Sequence, residues 1–412
     1  MSDGGNGGGD GFDTAVDDVL ERSDTPLAAV VEKSRTETAI ESLRAEGVYD
    51  DSRRVRGVSG AMHDGERIGD ANGEQRPVST ATRERGVSED DPDRIALPVT
   101  EPPTETAVLE VVRQIDPEPR TRDLEDLLEE RGWNEADLET APGSWAVIGS
   151  VVLVTVPEDC PDEGALAEAL LELHGDAESV LADEGIANDG EAGTYREPRT
   201  RLLAGESDTE TIHTEHGTRY GLDPAAVMFS PGNQAERARM GETVTAGERV
   251  FDMFAGIGYF TLPMARAGAQ VTATELNPTA FRYLVENTVL NDVGDRVDAY
   301  MTDCRDLASE LAVDRVVMGY YGRSDGRDGD HGVGTRTDEA HEFLDDALEA
   351  LVPGGEIHYH EATPESRLWE RPRARLEAAA DAAGRDLEIR DRRRVKSHSA
   401  GVAHVVVDAR FE

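Results

Sequence analysis

The chain has 412 residues, with 86 acidic and 42 basic side chains and a formal charge of −44. A hydrophobic fraction of 38% in periodic apolar segments excludes an acidic disordered chain. Two cysteines, Cys160 and Cys304, exclude a disulfide framework, a zinc knuckle or an iron–sulfur cluster, and no apolar run reaches the roughly 18 residues of a membrane span or forms a signal peptide.

Residues 1–25 open on a run of Gly, Asp and Asn that predicts a disordered tail. Residues 26–110 predict a small N-terminal domain. It holds a strand at Leu27–Val31, a helix at Thr36–Glu46 and a return of apolar residues at Arg94–Val99. Between them, 51–92 is rich in Gly, Asp and Arg and predicts a flexible insertion. After a linker to about residue 120, a middle α+β domain is expected over 120–222. Its elements are a helix at Asp123–Arg131, an apolar run at Trp145–Val154 with Gly149 inside it, a helix at Glu163–Leu173, and Thr209–Tyr220 alternating at strand period.

From 223 to 412 strands and helices alternate, which predicts a parallel sheet. Strands are expected near 249–254, 270–275, 297–302, 314–320 and 355–360, with helices notably at Thr279–Asn291 and Thr337–Leu351. Pro353-Gly354-Gly355 reads as the turn before the fifth strand, and Arg394–Asp408 as two strands around a glycine turn. The fold class is α/β: a Rossmann-like doubly wound sheet at the C-terminal end, preceded by smaller α+β N-terminal and middle domains.

The segment Val250–Pro263 carries the most chemistry. An apolar strand ends in Asp252, a tight turn holds Gly256 and Gly258, and an apolar helix begins. Such a turn presents backbone N–H groups to a nucleotide-like ligand at the carboxyl edge of a sheet. Thr261 stands where a dinucleotide fingerprint needs its third glycine, so no pyrophosphate is expected. With an acid before the turn, S-adenosylmethionine (SAM), a sulfonium without phosphates, is the better match. Glu275 ends the next strand and suits a ribose diol. Asp303 ends the third and can accept from an adenine amino group, with the Cys304 backbone beside the ring. Upstream, Ser230 precedes a turn and Arg237 lies on the helix that follows, positioned for a bidentate grip on the methionine carboxylate.

These residues resemble the class I SAM enzymes that modify guanosine 37 of tRNA in archaea and eukaryotes. The likeness is carried by Tyr195–Pro263 and extends from about residue 93 to the end, more weakly over 26–50. It implies that Ser230, Arg237, Glu275, Asp303 and Cys304 hold SAM and that the small N-terminal domain helps recognise the tRNA body. The family includes an N1-methyltransferase of guanosine 37 and an aminocarboxypropyltransferase of the wyosine pathway. Nitrogen methyltransferases commonly place Asn/Asp-Pro-Pro or Asn-Leu-Pro after the fourth strand, whereas this chain has Val316-Val317-Met318-Gly319-Tyr320-Tyr321-Gly322. A carbon-5 pyrimidine methyltransferase would need a cysteine near that strand. Together with Ile357–Glu361 and Val395–Val406, this segment resembles the aminocarboxypropyltransferase branch, from which the Gly/Asp-rich 322–334 insertion and the N-terminal third depart.

The transfer implied is of the 3-amino-3-carboxypropyl group of SAM to C7 of 4-demethylwyosine in tRNA-Phe, with methylthioadenosine as by-product. The N1-methyltransferase, and a noncatalytic SAM-dependent RNA-binding module, are the alternatives. An electron-rich acceptor carbon needs positioning more than acid–base help, so no general base is assigned; Tyr320, Tyr259 and His358 are the candidates, with Tyr321 a further candidate wall of the base pocket. His358 and His360 share a strand face without a third ligand, so no metal is expected. For RNA contact the candidates are Arg196, Arg199 and Arg201, and the basic cluster Arg392, Arg393, Arg394, Lys396 and His398. Lys33 and Lys396 are the only lysines. An acidic chain so poor in lysine predicts a halophile working in molar salt, where a Debye length of about 3 Å leaves local arginines, not net charge, to decide RNA binding. A cytoplasmic monomer that binds neither membrane nor DNA is expected.

Overall fold

A computed structural model describes residues 26–58, 94–114, 117–187, 189–320, 340–399 and 401–412. The expected tail, the insertion from residue 59 onward, Tyr321 and the 322–334 segment lie outside the described residues. The chain divides into two compact units, Met1–Asp123 and Leu124–Glu412.

In the first unit, β1 (Leu27–Glu32), β2 (Arg56–Gly57), β3 (Arg94–Val99) and β4 (Glu110–Arg113) form an antiparallel sheet in the order β2-β3-β1-β4. Period-2 alternation divides β1 between two faces. Ala29 and Val31 join Leu97 and the helix residue Leu43, while Ala28 and Val30 pack with Ala96. Helix α1 (Thr36–Glu46) stops at Gly47, whose φ of 77° is the left-handed conformation that closes a helix.

The second unit begins with α2 (Leu124–Glu130), α3 (Glu135–Leu138), β5 (Trp145–Ile148), β6 (Val151–Val154), α4 (Glu163–Leu173), β7 (Ser179–Ile186), α5 (Gly190–Thr194) and β8 (Pro198–Gly205). The strands pair in the order β5-β6-β7-β8. The apolar run 145–154 is thus a hairpin, turned at Gly149 (φ 57°). There Gly149 N donates to His213 Nδ1 at 3.2 Å and Ser150 N to Thr211 Oγ1 at 2.9 Å. Both acceptors lie on β9 (Thr211–Glu215), which pairs with β10 (Thr218–Leu222). These bonds join the middle segment to the rest of its unit.

The large sheet follows. Its strands are β11 (Arg249–Asp252), β12 (Gln270–Thr274), β13 (Val297–Tyr300), β14 (Val313–Met318), β15 (Leu351–Pro364), β16 (Leu387–Ser399) and β17 (Val402–Phe411), in the order β13-β12-β11-β14-β15-β17-β16. The first five are parallel, but β17 runs antiparallel to both neighbours, so the sheet is mixed rather than wholly parallel. Among the helices are α6 (Gln234–Thr243), α7 (Thr261–Arg266), α8 (Pro278–Leu290), α9 (Arg305–Ala308), α10 (Leu344–Ala350) and α11 (Glu370–Ala383).

Both faces are covered along the central strands, so Val250-Phe251 of β11 and Val316-Val317-Met318 of β14 are buried as consecutive apolar residues. Val250 and Ala273 pack with Leu262 of α7 and Leu284 of α8, whereas Phe251 and Ile357 pack with Leu348 of α10 and Leu376 of α11. Each fully buried Val, Leu, Ile or Phe side chain among these contributes about 1.5–3 kcal/mol. Pro353-Gly354-Gly355 lies inside β15, not before it. The pairing with β14 jumps there, from Val313↔Leu351 to Arg315↔Glu356. A Cβ on Gly355 would sit 2.6 Å from Leu351 and 2.9 Å from the Asp314 carbonyl. The chain runs outward from β11 through β12 and β13, then crosses back to place β14 on the other side of β11, and a crevice opens at the carboxyl ends of β11 and β14.

Candidate active site

The crevice is a pocket lined by the turns after β11, β12, β13 and β14, by Ser230, Asn233 and Arg237, and by the Gly193–Arg196 segment. Gly256 and Gly258 have φ of 57° and 101°, which a side chain rarely adopts. A Cβ on Gly256 would overlap the Tyr259 ring, and one on Gly258 would lie 2.8 Å from Leu262. Of the two, Gly256 lines the pocket and Gly258 supports the turn from behind.

Glu275 joins two strand ends. Its Oε2 accepts from Gly256 N at 2.8 Å and its Oε1 from Asn277 N at 2.7 Å. Desolvation raises its pKa. A carboxylate offers about four lone-pair sites, so acceptor capacity remains for a ligand diol. Asn277 caps α8 through bonds from Thr279 N and Ala280 N, with Pro278 at the first helical position. Its Nδ2 also donates to the Tyr195 carbonyl at 3.3 Å, tying the 193–196 segment to the rim. Asp303 is oriented by Arg305, whose Nε and Nη2 donate to its two oxygens at 2.9 and 2.6 Å. Cys304 lines the pocket beside it; burial pushes its thiol up, so the thiolate is disfavoured.

Tyr320 and Phe254 form an aromatic wall with ring centroids 5.1 Å apart, and the Arg196 guanidinium lies 5.3 Å from the Tyr320 ring centroid. Arg196 has φ 53° and lines the pocket, so it stands at the site itself rather than on a separate surface. Tyr259 lines the pocket as well.

Several expected placements are corrected. Asp252 is 0% exposed and absent from the lining; Thr261 Oγ1 donates to it at 2.7 Å, so Thr261, where the third glycine is missing, braces the acid beneath the turn. Desolvation pushes Asp252 up to about 6. The fork of Arg237 faces Glu215, with Nε–Oε2 and Nη2–Oε1 both 2.7 Å, while Nη1 donates to the Ser230 carbonyl at 2.9 Å. Arg237 lines the pocket, but its bidentate edge is engaged by a protein carboxylate. Burial opposes ionisation of Glu215, yet His213 and Arg237 hold its pKa low.

His358 does not reach the pocket. It is 1% exposed and absent from the lining, its Nδ1 lies 2.6 Å from Asp408 Oδ1, and its ring packs edge-on with the lining residue Phe260. His360 Nδ1 and His404 Nε2 are 2.9 Å apart, and burial holds His360 well below the usual histidine range. Among the described residues no group of three His, Cys, Asp or Glu side chains is placed to hold a metal.

The basic candidates separate in the same way. Arg393 is enclosed: Nε donates to Glu236 Oε2 at 2.8 Å and Nη1 to Asp408 Oδ2 at 2.7 Å. It therefore joins α6 to the β16–β17 hairpin and is not a phosphate-facing cation. Lys396 is half-buried, its Nζ 2.6 Å from Ser230 Oγ. Arg199, Arg201 and Arg394 are exposed and paired with Asp189, with Glu163 and Glu184, and with Glu365 respectively. Asn277, Phe254 and Asn233 were not singled out from sequence. Only Asn277-Pro278, a capping residue before a helix-starting proline, carried a local signal.

The residues fit SAM. The glycine turn has room only for backbone, and acids, Glu275 and Asp303, stand in the pocket beyond the ends of β12 and β13. Fold and site together define a Rossmann-like SAM-dependent transferase. Residues 211–389 match the TRM5/TYW2 methyltransferase domain and residues 108–209 the TYW2 N-terminal domain. The chain is 39% identical over 271 residues to the tRNA(Phe) (4-demethylwyosine(37)-C(7)) aminocarboxypropyltransferase of Pyrococcus horikoshii, covering 65% of this chain and 89% of that protein. It is 32% identical over 270 residues to the tRNA (guanine(37)-N(1))-methyltransferase Trm5b of Pyrococcus abyssi, covering 65% of this chain and 75% of that protein. The crystal structure of P. horikoshii TYW2 in complex with MeSAdo superposes with a TM-score of 0.57 at 34% identity, over 70% of this chain and 99% of that one. This chain belongs to the TRM5/TYW2 family.

Proposed function

We propose that the chain transfers the 3-amino-3-carboxypropyl group of SAM to C7 of 4-demethylwyosine at position 37 of tRNA-Phe, releasing methylthioadenosine in wyosine biosynthesis. The match of residues 108–209 to the TYW2 N-terminal domain carries this reading within the family. The β14 segment agrees with it. Met318-Gly319-Tyr320 offers an aromatic wall and no Asn, Asp or Pro to hold an attacking ring nitrogen.

SAM brings a sulfonium whose three attached carbons are all electrophilic, so geometry selects the carbon attacked. Glu275 and Asp303 hold the nucleoside end, and Ser230 and Arg237 stand at the amino-acid end. Tyr320, Phe254 and Arg196 form the wall on which an unstacked base is held. C7 forms a bond to the γ-carbon, that carbon's bond to sulfur breaks with the electron pair leaving on methylthioadenosine, and C7 gives up its proton. Arg199, Arg201 and Arg394 supply exposed positive charge for tRNA phosphates, and the first unit serves to recognise the tRNA body. The acid excess and near absence of lysine support a halophilic archaeon and cytoplasmic work in molar salt. No helix among the described residues is long and apolar enough to cross a membrane. We take the working form to be a monomer that binds no DNA.

The test is to identify the nucleoside by-product formed from SAM, in molar KCl, with tRNA-Phe carrying 4-demethylwyosine. Methylthioadenosine with a matching mass gain on the tRNA is expected. S-adenosylhomocysteine, with unmodified guanosine 37 as the better substrate, would overturn the reading in favour of methyl transfer.

A further inference from the structure

Lys396 is one of two lysines among 42 basic residues. Arg390, Arg393 and Arg394, on the same strand, each pair with carboxylates. Lys396 pairs with no carboxylate among the described residues; its Nζ lies 2.6 Å from Ser230 Oγ. An ammonium is donor-only, so Ser230 Oγ must accept and the serine proton is left to point elsewhere. Ser230 lines the pocket with Asn233 and Arg237. Gly232 makes room for the lysine stem: a Cβ there would stand 3.2 Å from Lys396 Cδ. Burial lowers the Lys396 pKa and the nearby Arg237 charge adds to this, although Arg237 is itself paired with Glu215.

We propose that Lys396 is a positioning residue for the carboxylate of the SAM amino-acid end. It fixes Ser230 as a hydrogen-bond donor to that carboxylate. This rests on the reading of the pocket as a SAM site, and it gives Lys396 a role other than the phosphate contact expected from sequence.

The full chain in molar KCl, with Lys396→Met, Lys396→Arg, Ser230→Ala and the Met/Ala double variant, is titrated with SAM, S-adenosylhomocysteine and methylthioadenosine. The last lacks the amino-acid end. For Lys396→Met, affinity for the first two ligands is expected to fall about tenfold while methylthioadenosine binding is unchanged. Lys396→Arg should retain part of the affinity, and the double variant should lose little more than Ser230→Ala alone. Equal loss for all three ligands would show a structural role and overturn the proposal, as would unchanged binding of all three. Failure of the wild-type chain to bind any of the three would instead overturn the reading of the pocket, and the proposal with it.

Discussion

Arg393→Met separates buried from exposed charge in this molecule. Arg393 is 19% exposed, and its partners Glu236 and Asp408 are 5% and 10% exposed. Removing the cation leaves two largely enclosed carboxylates with only His358, near both, and Arg239, near Asp408, as close partners among the described residues. Breaking a buried pair from one side costs about 3–5 kcal/mol. Partial exposure of Arg393 favours the lower end, so a loss of about 3 kcal/mol is expected, a large part of a typical 5–15 kcal/mol total. Arg201→Met is the control. Arg201 and its partners Glu163 and Glu184 are 43–48% exposed, and such pairs contribute about 0–1 kcal/mol, less in molar salt. The assay is urea unfolding in 2 M KCl (about the salt at which exposed charges are screened within a few ångströms), followed by far-ultraviolet circular dichroism. At a urea slope of about 3 kcal/mol/M, Arg393→Met should move the midpoint down by about 1 M and Arg201→Met hardly at all. Adding Glu236→Gln to Arg393→Met should restore part of the loss, because one stranded charge is gone. Equal, small shifts for Arg393→Met and Arg201→Met would refute the reasoning.

Two further outcomes follow from the site. Gly319→Ala would place a Cβ 2.7 Å from the Phe260 ring, which is backed by His358 and His360; overpacking of about 1–3 kcal/mol and weaker SAM binding are expected by thermal unfolding and titration, and wild-type behaviour would show that the ring is free to retreat. Asp252 is pushed up to about 6 by burial, against about 3.9 in an unfolded chain. Its folded form therefore holds the proton more tightly, and stability falls as pH rises between those values, then stays lowered above 6. Asp252→Asn removes this term, so its stability relative to wild type should rise by about 2 kcal/mol between pH 4.5 and pH 8; a difference independent of pH would count against the buried-acid account.

Much of the site was legible because its signals are local. Gly256, Gly258, Glu275 and Asp303 each follow a short strand, and strand ends on one sheet edge converge whatever the details of packing. What sequence concealed depends on contacts far apart in the chain. Arg393 reads as a surface cation because its partners, Glu236 and Asp408, are supplied by α6 and β17. His358 reads as a candidate because nothing local reveals that it is buried against Phe260 and Asp408. Pro353-Gly354-Gly355 carries every mark of a turn, yet β15 continues through it because the irregular pairing with β14 absorbs the extra residues. The hairpin in 145–154 was hidden by apolar residues on both sides of Gly149, whose role depends on β9.

The position of β17 has a consequence for how the molecule assembles. It is made after both its neighbours yet lies between them, pairing with β15 along ten residues and with β16 on the other side. Until it is inserted, β15 ends the sheet as an open edge, and β16 has no place in the sheet. Such edges invite pairing with other chains. The glycine turn after β11 is encoded locally and needs none of this, but Arg393 and Lys396 ride on the hairpin that β17 completes. Ligand affinity should therefore appear late in refolding, with closure of the sheet rather than with formation of the turn, which makes binding a reporter of the last step.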